Sequence, residues 1–403
     1  MPESNAVLNF ESISFSETES AIKCSFLKIF QFILKKEDLS SIGRYKIERN
    51  AIFFEGTSMK KAEKKFNFLL YKGFQDLTNT LTKKPTTYIH SNSGIPLIGT
   101  TYFGLVDRNT NIIEVRTITG CNIDCVYCSV DEKQRSRDFI VEKDYLIDEF
   151  KKLVAIKSCD NIEAHINPQA EPFLYADFVP MINDLHSIQR VKIISVNTNA
   201  TFLTEKLIDE LAKAGLTRIN FSINTFRKEL AHKMAGAQIN ISRIKDLTEY
   251  ASKKMDINIA PVYMHGWNDE DLDELIQFAK KLQTETSFKV KVGIQNFLVY
   301  KHSKKPVKQV SWVNFYKMLD ELEKKYEFDM KPDFGIVNTK PLPLPFRKGD
   351  LIEAEVKCDG RFPGEKIAVA KDRSIVVRNC HKEGKIRVKL TRSKDNIFVG
   401  VLA

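Results

Sequence analysis

Three cysteines crowd the stretch "CNIDCVYCSV": Cys121, Cys125 and Cys128, separated by three residues and then two. Thiolates at such spacing are metal ligands, yet a closed tetrahedral site takes four protein ligands and no fourth cysteine follows nearby. Two chemistries accommodate the shortfall. Zinc would add a distant imidazole such as His165 or His381. A [4Fe–4S] cube would place one thiolate on each of three irons and leave the fourth open to an exogenous ligand. The remaining cysteines, Cys24, Cys159, Cys358 and Cys380, are scattered and form no disulfide framework.

The elements around this loop set its position. From about Asn111 onward, β-branched runs alternate with amphipathic helical patterns. Strands are predicted at "IIEVRTI", "IEAHINP", "VKIISVNTN", "TRINFSIN", "INIAPVYM" and "KVGIQNFL". Helices are predicted over residues 143–156, 205–214, 242–253, 269–281 and 312–325. Six strand–helix units in series imply an α/β fold: a parallel sheet, curled by right-handed crossovers into a full or partial barrel. Chemistry on such barrels gathers at the C-terminal strand ends, and the cysteine loop directly follows the first strand. The proline-rich "KPLPLPF" then reads as an extended linker. Five short strand patterns follow it, which suits a small OB-like β-barrel. The expected organisation is an N-terminal α+β extension over 1–95, the main barrel over 100–335, a linker over 336–346 and the small barrel over 347–403. In the extension, residues 14–36 read as a helix with an apolar stripe. "YKIERNAIFFEG" reads as two strands around Arg49–Asn50, and a helix capped by Thr57 or Ser58 follows.

Composition narrows the class. The 403 residues are 43% hydrophobic and 28% charged, with a net charge of +10. That describes a soluble globular chain of two or three domains, without a membrane span or a secretory leader, and a cytoplasmic setting is expected. Residues 347–403 hold 14 Lys and Arg against 8 Asp and Glu, so +6 of the charge sits there. An anionic partner and a lysine-rich solvated surface both fit.

With Tyr127 before its last cysteine, the loop resembles that of the radical S-adenosylmethionine superfamily: C-x3-C-x2-C after the first strand of a (β/α)6 partial barrel. The resemblance implies a radical enzyme whose cofactors are a [4Fe–4S] cluster and S-adenosylmethionine. Cys121, Cys125 and Cys128 would hold the cluster, and its reduced form would cleave the bound cofactor to a 5′-deoxyadenosyl radical. It implies an electron donor such as a ferredoxin or flavodoxin. The family's G-G-E-P turn corresponds here to Gln169, Ala170, Glu171 and Pro172, with Gln169 and Ala170 standing for glycines. "NTNATFLT" resembles the T-N-G-T element, with Ala200 for glycine and Asn199 beside it. Ser222 and Asn224, on one face of the fourth strand, and Gln295 at the end of the sixth complete the implied cofactor contacts. His165 and His265 fall at the same rim, and Arg116, Arg135 and Arg137 flank the cysteine loop as candidate anion contacts.

The last 57 residues resemble a TRAM domain through the opening Gly349–Val356 and through Arg392, Lys394, Asn396, Phe398 and Gly400. TRAM domains occur on RNA-modifying enzymes, which implies RNA, in particular tRNA, as partner. Arg361, Lys366, Arg373, Arg378, Arg387, Lys389, Arg392 and Lys394 would track phosphates. Phe362 or Phe398 would stack on a base. As a whole, residues 95–403 resemble uncharacterised archaeal radical S-adenosylmethionine proteins ending in TRAM. The tRNA methylthiotransferases pair the same modules but carry a second, N-terminal cluster; here only Cys24 precedes Cys121. A radical enzyme acting on a protein or small metabolite, and a non-catalytic RNA-binding metalloprotein, are the alternatives.

Overall fold

The computed structural model describes residues 5–403, which form two compact units. One unit comprises the chain up to Ile89 together with Ser136–Ile140. It holds a three-stranded sheet (Ala6–Asn9, Ala51–Glu55, Arg44–Glu48), a four-stranded sheet (Ile13–Glu17, Ala21–Phe26, Phe30–Lys35, Thr78–Asn79) and the helix Met59–Gln75. The hairpin around Arg49–Asn50 forms as expected. Residues 14–36 are not a helix. Ile22, Cys24 and Phe26, then Phe30, Phe32 and Leu34, are buried at a period of two. The chain reverses between the two strands at Leu27 and Lys28, both at positive φ. Two consecutive apolar strands across a tight turn imitate a helical stripe. Ser58 occupies the N-cap of the following helix without a side-chain bond to it, and the buried Thr57 hydroxyl donates instead to the Ile42 carbonyl, 2.9 Å away. Ser136–Ile140 joins this unit through Asp138, whose carboxylate accepts from Asn79 (3.0 Å) and Thr82 (2.6 Å).

The second unit comprises His90–Arg135 and Val141–Ala403. Its main sheet is open and contains β1 (Gly104–Asp107), β2 (Ile112–Arg116), β3 (Ile162–Ile166), β4 (Val191–Thr198), β5 (Arg218–Phe221), β6 (Asp256–Ile259) and β7 (Val290–Val292). Strands β2 to β7 are parallel and in sequence order, and β1 lies antiparallel on the edge beside β2. The helices Lys143–Ile156 and Glu205–Ala214 form with the expected bounds. Two predicted strands are shorter than read. Pro261 interrupts the first after Ile259, and Gly293–Ile294 interrupts the second after Val292; the remnants Val262–Tyr263 and Gln295–Asn296 pair with each other as a separate parallel ribbon.

The two faces of the main sheet differ. One carries Ile113, Val115, Ala164, Ile166, Ile194, Val196, Ile219, Phe221, Ile257 and Ile259, all buried. The other is polar: Glu114, His165, Ser195 and Arg218 stand in register across β2–β5, and Asn197, Asn220 and Asn258 across β4–β6. Parallel strands covered on both sides are normally apolar on both. A polar inner face marks a surface that looks onto a site.

Residues 340–347 form neither helix nor strand, in keeping with their prolines. Then β8 (Leu351–Asp359), β9 (Glu365–Ala370), β10 (Arg373–Arg378), β11 (Lys385–Arg392) and β12 (Val399–Leu402) close a barrel in the order β8-β9-β10-β12-β11. This small barrel is bonded to the segment before β1. The Ser374 amide donates to the Ile98 carbonyl (2.9 Å), and the Phe398 amide to that of Gly99 (2.8 Å). Gly99 has φ +138°, and a Cβ there would lie 2.0 Å from the Ser374 carbonyl oxygen. Only glycine lets the two backbones approach this closely.

Candidate active site

The cysteine loop follows β2 and is held from below by the helix Lys228–Ala235. The amides of Asp124 and Val126 donate to the carbonyls of Ala235 (3.1 Å) and Met234 (2.9 Å). Lys304 bonds both the carboxylate and, at 2.8 Å, the carbonyl of Asp124. Tyr127 packs against Met234, Met264 and Phe297. Sequence reading missed this helix, which is only eight residues long; it buries Ala231, Met234 and Ala235.

Cys121, Cys125 and Cys128 line one cavity of about 380 Å³ with Tyr127, Gln169, Ala170, Glu171, Asn199, Ser222 and Gln295. That volume suits a cofactor-sized ligand. Asn224 lies outside this lining; its Oδ1 accepts from the Val262 amide at 2.7 Å. The lining also includes Arg108, Glu114, Arg116, Asn197, Asn296 and Tyr300. No group of three or more His, Cys, Asp or Glu among the described residues is placed to hold a single metal ion. His165 and His381 do not line the cavity. His165 Nδ1 lies 2.7 Å from Ser195 Oγ, and His381 is exposed.

Burial pushes the Cys125 thiol up to about 12 and raises Cys121 and Cys128 as well. Metal binding to this loop must therefore displace protons. Arg361 and Arg135 oppose the shift at Cys128, and Asn199 Nδ2 approaches Cys121 Sγ at 3.9 Å.

Glu171 is fully buried. Its carboxylate accepts from the Thr198 hydroxyl (2.9 Å) and the amides of Asn199 (2.9 Å) and Phe173 (3.2 Å), which ties the turn after β3 to the loop after β4. Burial still outweighs these bonds and lifts its pKa to about 7. Ala170 and Ala200 adopt φ +117° and +62°. Both alanines thus keep the backbone of a glycine despite the Cβ.

The flanking arginines divide. Arg116 donates to Glu114, to the Thr101 carbonyl (2.8 Å) and to Gln169 (3.2 Å). Arg135 is buried on Glu132 and the Thr119 carbonyl. Arg137 belongs to the other unit and donates to Thr87 Oγ1 at 3.2 Å. His265 is largely exposed and bonded to Asp269 at 2.7 Å.

The small barrel departs from expectation. Arg361, expected outside, is 2% exposed and turned toward Gln169, and Phe362 and Phe398 are buried, so neither ring is free to stack on a base. Lys366 is paired with Asp359 and Glu383, and Arg373 bonds Asn396 (3.2 Å) and the Pro343 carbonyl (3.3 Å). Arg378 is half-buried near Glu365. Arg387, Lys389, Arg392 and Lys394 are exposed. Arg387 stands opposite Glu353 across the β8–β11 ladder, whereas Lys389 stands opposite Leu351.

The radical SAM superfamily matches residues 115–279, the segment from β2 to the helix after β6. An uncharacterised protein of Methanocaldococcus jannaschii is 38% identical over 369 residues, which cover 83% of this chain and 85% of that protein. The GTP 3′,8-cyclase of Clostridium botulinum is 29% identical over 186 residues, 45% of this chain and 56% of the cyclase. The solved structure of Streptococcus suis SuiB bound to S-adenosylmethionine overlays with a TM-score of 0.42 at 11% identity, covering 81% of this chain and 73% of that one. The chain belongs to the radical SAM superfamily and shares 83% of its length with the archaeal relative. It is an enzyme of that class, and its cofactors are a [4Fe–4S] cluster and S-adenosylmethionine. Among the described residues no helix is long and apolar enough to cross a membrane.

Proposed function

We propose that Cys121, Cys125 and Cys128 hold the cluster and that the protein modifies RNA, in particular tRNA. One observation carries the site: the cysteine loop, the Glu171 turn and the ends of successive parallel strands meet at one cavity. In a cube each thiolate binds its own iron, so the three sulfurs need not converge on a point. When bound, the cluster and S-adenosylmethionine supply one-electron reductive cleavage and hydrogen-atom abstraction. The protein's part is placement. Ala170 opens the backbone of the turn toward the cavity, Glu171 locks that turn to Asn199, and Asn199, Ser222 and Gln295 offer polar groups to the cofactor. An electron donor such as a ferredoxin or flavodoxin is required.

Residues 347–403 act as a TRAM-like substrate module in this reading. Lys389, Arg392 and Lys394 support it, because they are exposed and the ladder sets no acidic residue opposite Lys389. Exposed cations of this kind bind phosphates in a salt-dependent way. Nucleoside mass spectrometry of tRNA from cells with and without the gene tests the assignment. Loss of one modified nucleoside supports it, and identical spectra reject RNA as substrate. The polar inner face of β2–β6 favours a second reading, a small polar metabolite held against the sheet. Absence of tRNA shift in gels at low salt would turn the choice that way.

A further inference from the structure

The small barrel does more than sit beside the main one: the turn between β8 and β9 delivers a charged side chain to the cysteine loop. Gly360 through Gly364 form this turn, and Arg361 is the largest fully buried side chain in it. Its Nη1 donates to Gln169 Oε1 at 3.0 Å. Arg116 reaches the same oxygen at 3.2 Å, and Gln169 Nε2 donates to Ser129 Oγ at 2.9 Å. Ser129 directly follows Cys128. A continuous path therefore runs from the C-terminal barrel, through the turn that carries Ala170 and Glu171, to the last cysteine. The arginine is backed by Tyr102, whose ring lies 5.8 Å from the guanidinium carbon and whose hydroxyl donates to Glu365 of β9 at 2.7 Å. Phe362, the next residue, stacks on His302 at 3.9 Å. The turn is thus clamped on both sides by the main barrel.

Gln169 stands where the resemblance places a glycine. A glycine could not link the barrel to the cysteine loop; the amide can. A buried guanidinium also keeps its full charge in a medium that screens it poorly. Reduction adds an electron to the cluster, so a fixed positive charge nearby favours the reduced form, and net local charge is one of the levers that set cluster potentials.

We propose that Arg361 is a positioning residue for the cluster site: it fixes Gln169 against the cysteine loop, and its charge holds the cluster at a higher potential than the main barrel alone would. The proposal rests on Cys121, Cys125 and Cys128 being the ligands.

The test is a potentiometric titration of the anaerobically reconstituted full chain, read by electron paramagnetic resonance. In Arg361→Gln the ratio of reduced to oxidised cluster at a fixed potential falls about tenfold, a shift of about 59 mV to lower potential for a one-electron couple. Arg361→Lys, which keeps the charge, stays within about twofold of the natural protein. Arg361→Met, which removes the charge and keeps most of the side chain's length, takes its place if Arg361→Gln does not fold. An unmoved potential in the folded charge-removing variant overturns the proposal, as does an Arg361→Lys displaced as far as that variant. A wild-type preparation without any [4Fe–4S] signal instead overturns the assignment of the cysteines, so the two failures are distinguishable.

Discussion

Gly99→Ala tests the union of the two barrels. A Cβ at this position would lie 2.0 Å from the Ser374 carbonyl oxygen and 2.5 Å from its amide nitrogen, both backbone atoms that cannot swing away. The φ of +138° adds about 1–2 kcal/mol of strain for any L side chain. Relief requires the strands to part, which costs the amide bonds of Ser374 and Phe398, about 1 kcal/mol each and more if the groups stay buried and unpaired. The sum is about 3–4 kcal/mol. Gly384→Ala provides the internal control. Gly384 also has positive φ (+69°), but no atom stands within 4 Å of its would-be Cβ, so only about 1 kcal/mol of strain applies. For a unit of this size each kcal/mol moves Tm by about 2–4 °C, so Gly99→Ala should melt roughly 10 °C below the natural protein and Gly384→Ala within about 4 °C of it. Differential scanning calorimetry of the metal-free proteins reads both. If Gly99→Ala melts no lower than Gly384→Ala, the close approach of the two barrels is wrong.

Other outcomes are expected. The Glu171 carboxyl titrates near 7 in the folded chain against 4.5 when unfolded, so the folded state holds a proton that the unfolded state releases. Stability of the metal-free protein should therefore fall by about 3 kcal/mol as pH rises from about 4.5 to 7 and then level off. Urea titrations across that window, with Glu171→Gln showing a flatter profile, check the sign. Ala170→Gly should stabilise the chain by about 1 kcal/mol, since it removes strain at φ +117°; a lower midpoint in urea would count against that backbone. Replacing Lys389, Arg392 and Lys394 together by alanine should lower the slope of log affinity for single-stranded RNA against log salt by about 2. An unchanged slope, measured by filter binding, would remove these cations from the interface. The variant is preferable to deletion of residues 347–403, which would strip Ile98, Gly99 and Gln169 of their partners.

Much of the site was legible because it is local. The cysteine spacing, the turn at Glu171 and the strand–helix alternation each lie within a few residues, and hydrophobic period alone placed the helices Lys143–Ile156 and Glu205–Ala214. The small barrel was legible from five strand patterns and the turns between them. What escaped is non-local. Arg361 reads in sequence as one more surface cation in a basic stretch; only the packing of the β8–β9 turn turns it inward. Phe362 is buried with that turn, and Phe398 in the core of the small barrel. The helix Lys228–Ala235 was missed because it spans only eight residues, about two turns, and its carbonyls that hold Asp124 and Val126 leave no mark in the sequence. Residues 14–36 failed because two apolar strands across a tight turn share the density of a helical stripe.

The path from Arg361 to the cysteine loop has a consequence for biosynthesis. At about 5–20 residues per second, the ribosome takes roughly ten to fifty seconds to travel from Cys128 to Arg361. During that interval the loop and the main barrel's strands emerge while the residues that cover Gln169 do not yet exist. Cluster delivery can use this interval, and so can oxygen. The bond from Arg361 to Gln169 therefore forms late, after the cysteine loop and the strands of the main barrel have left the ribosome.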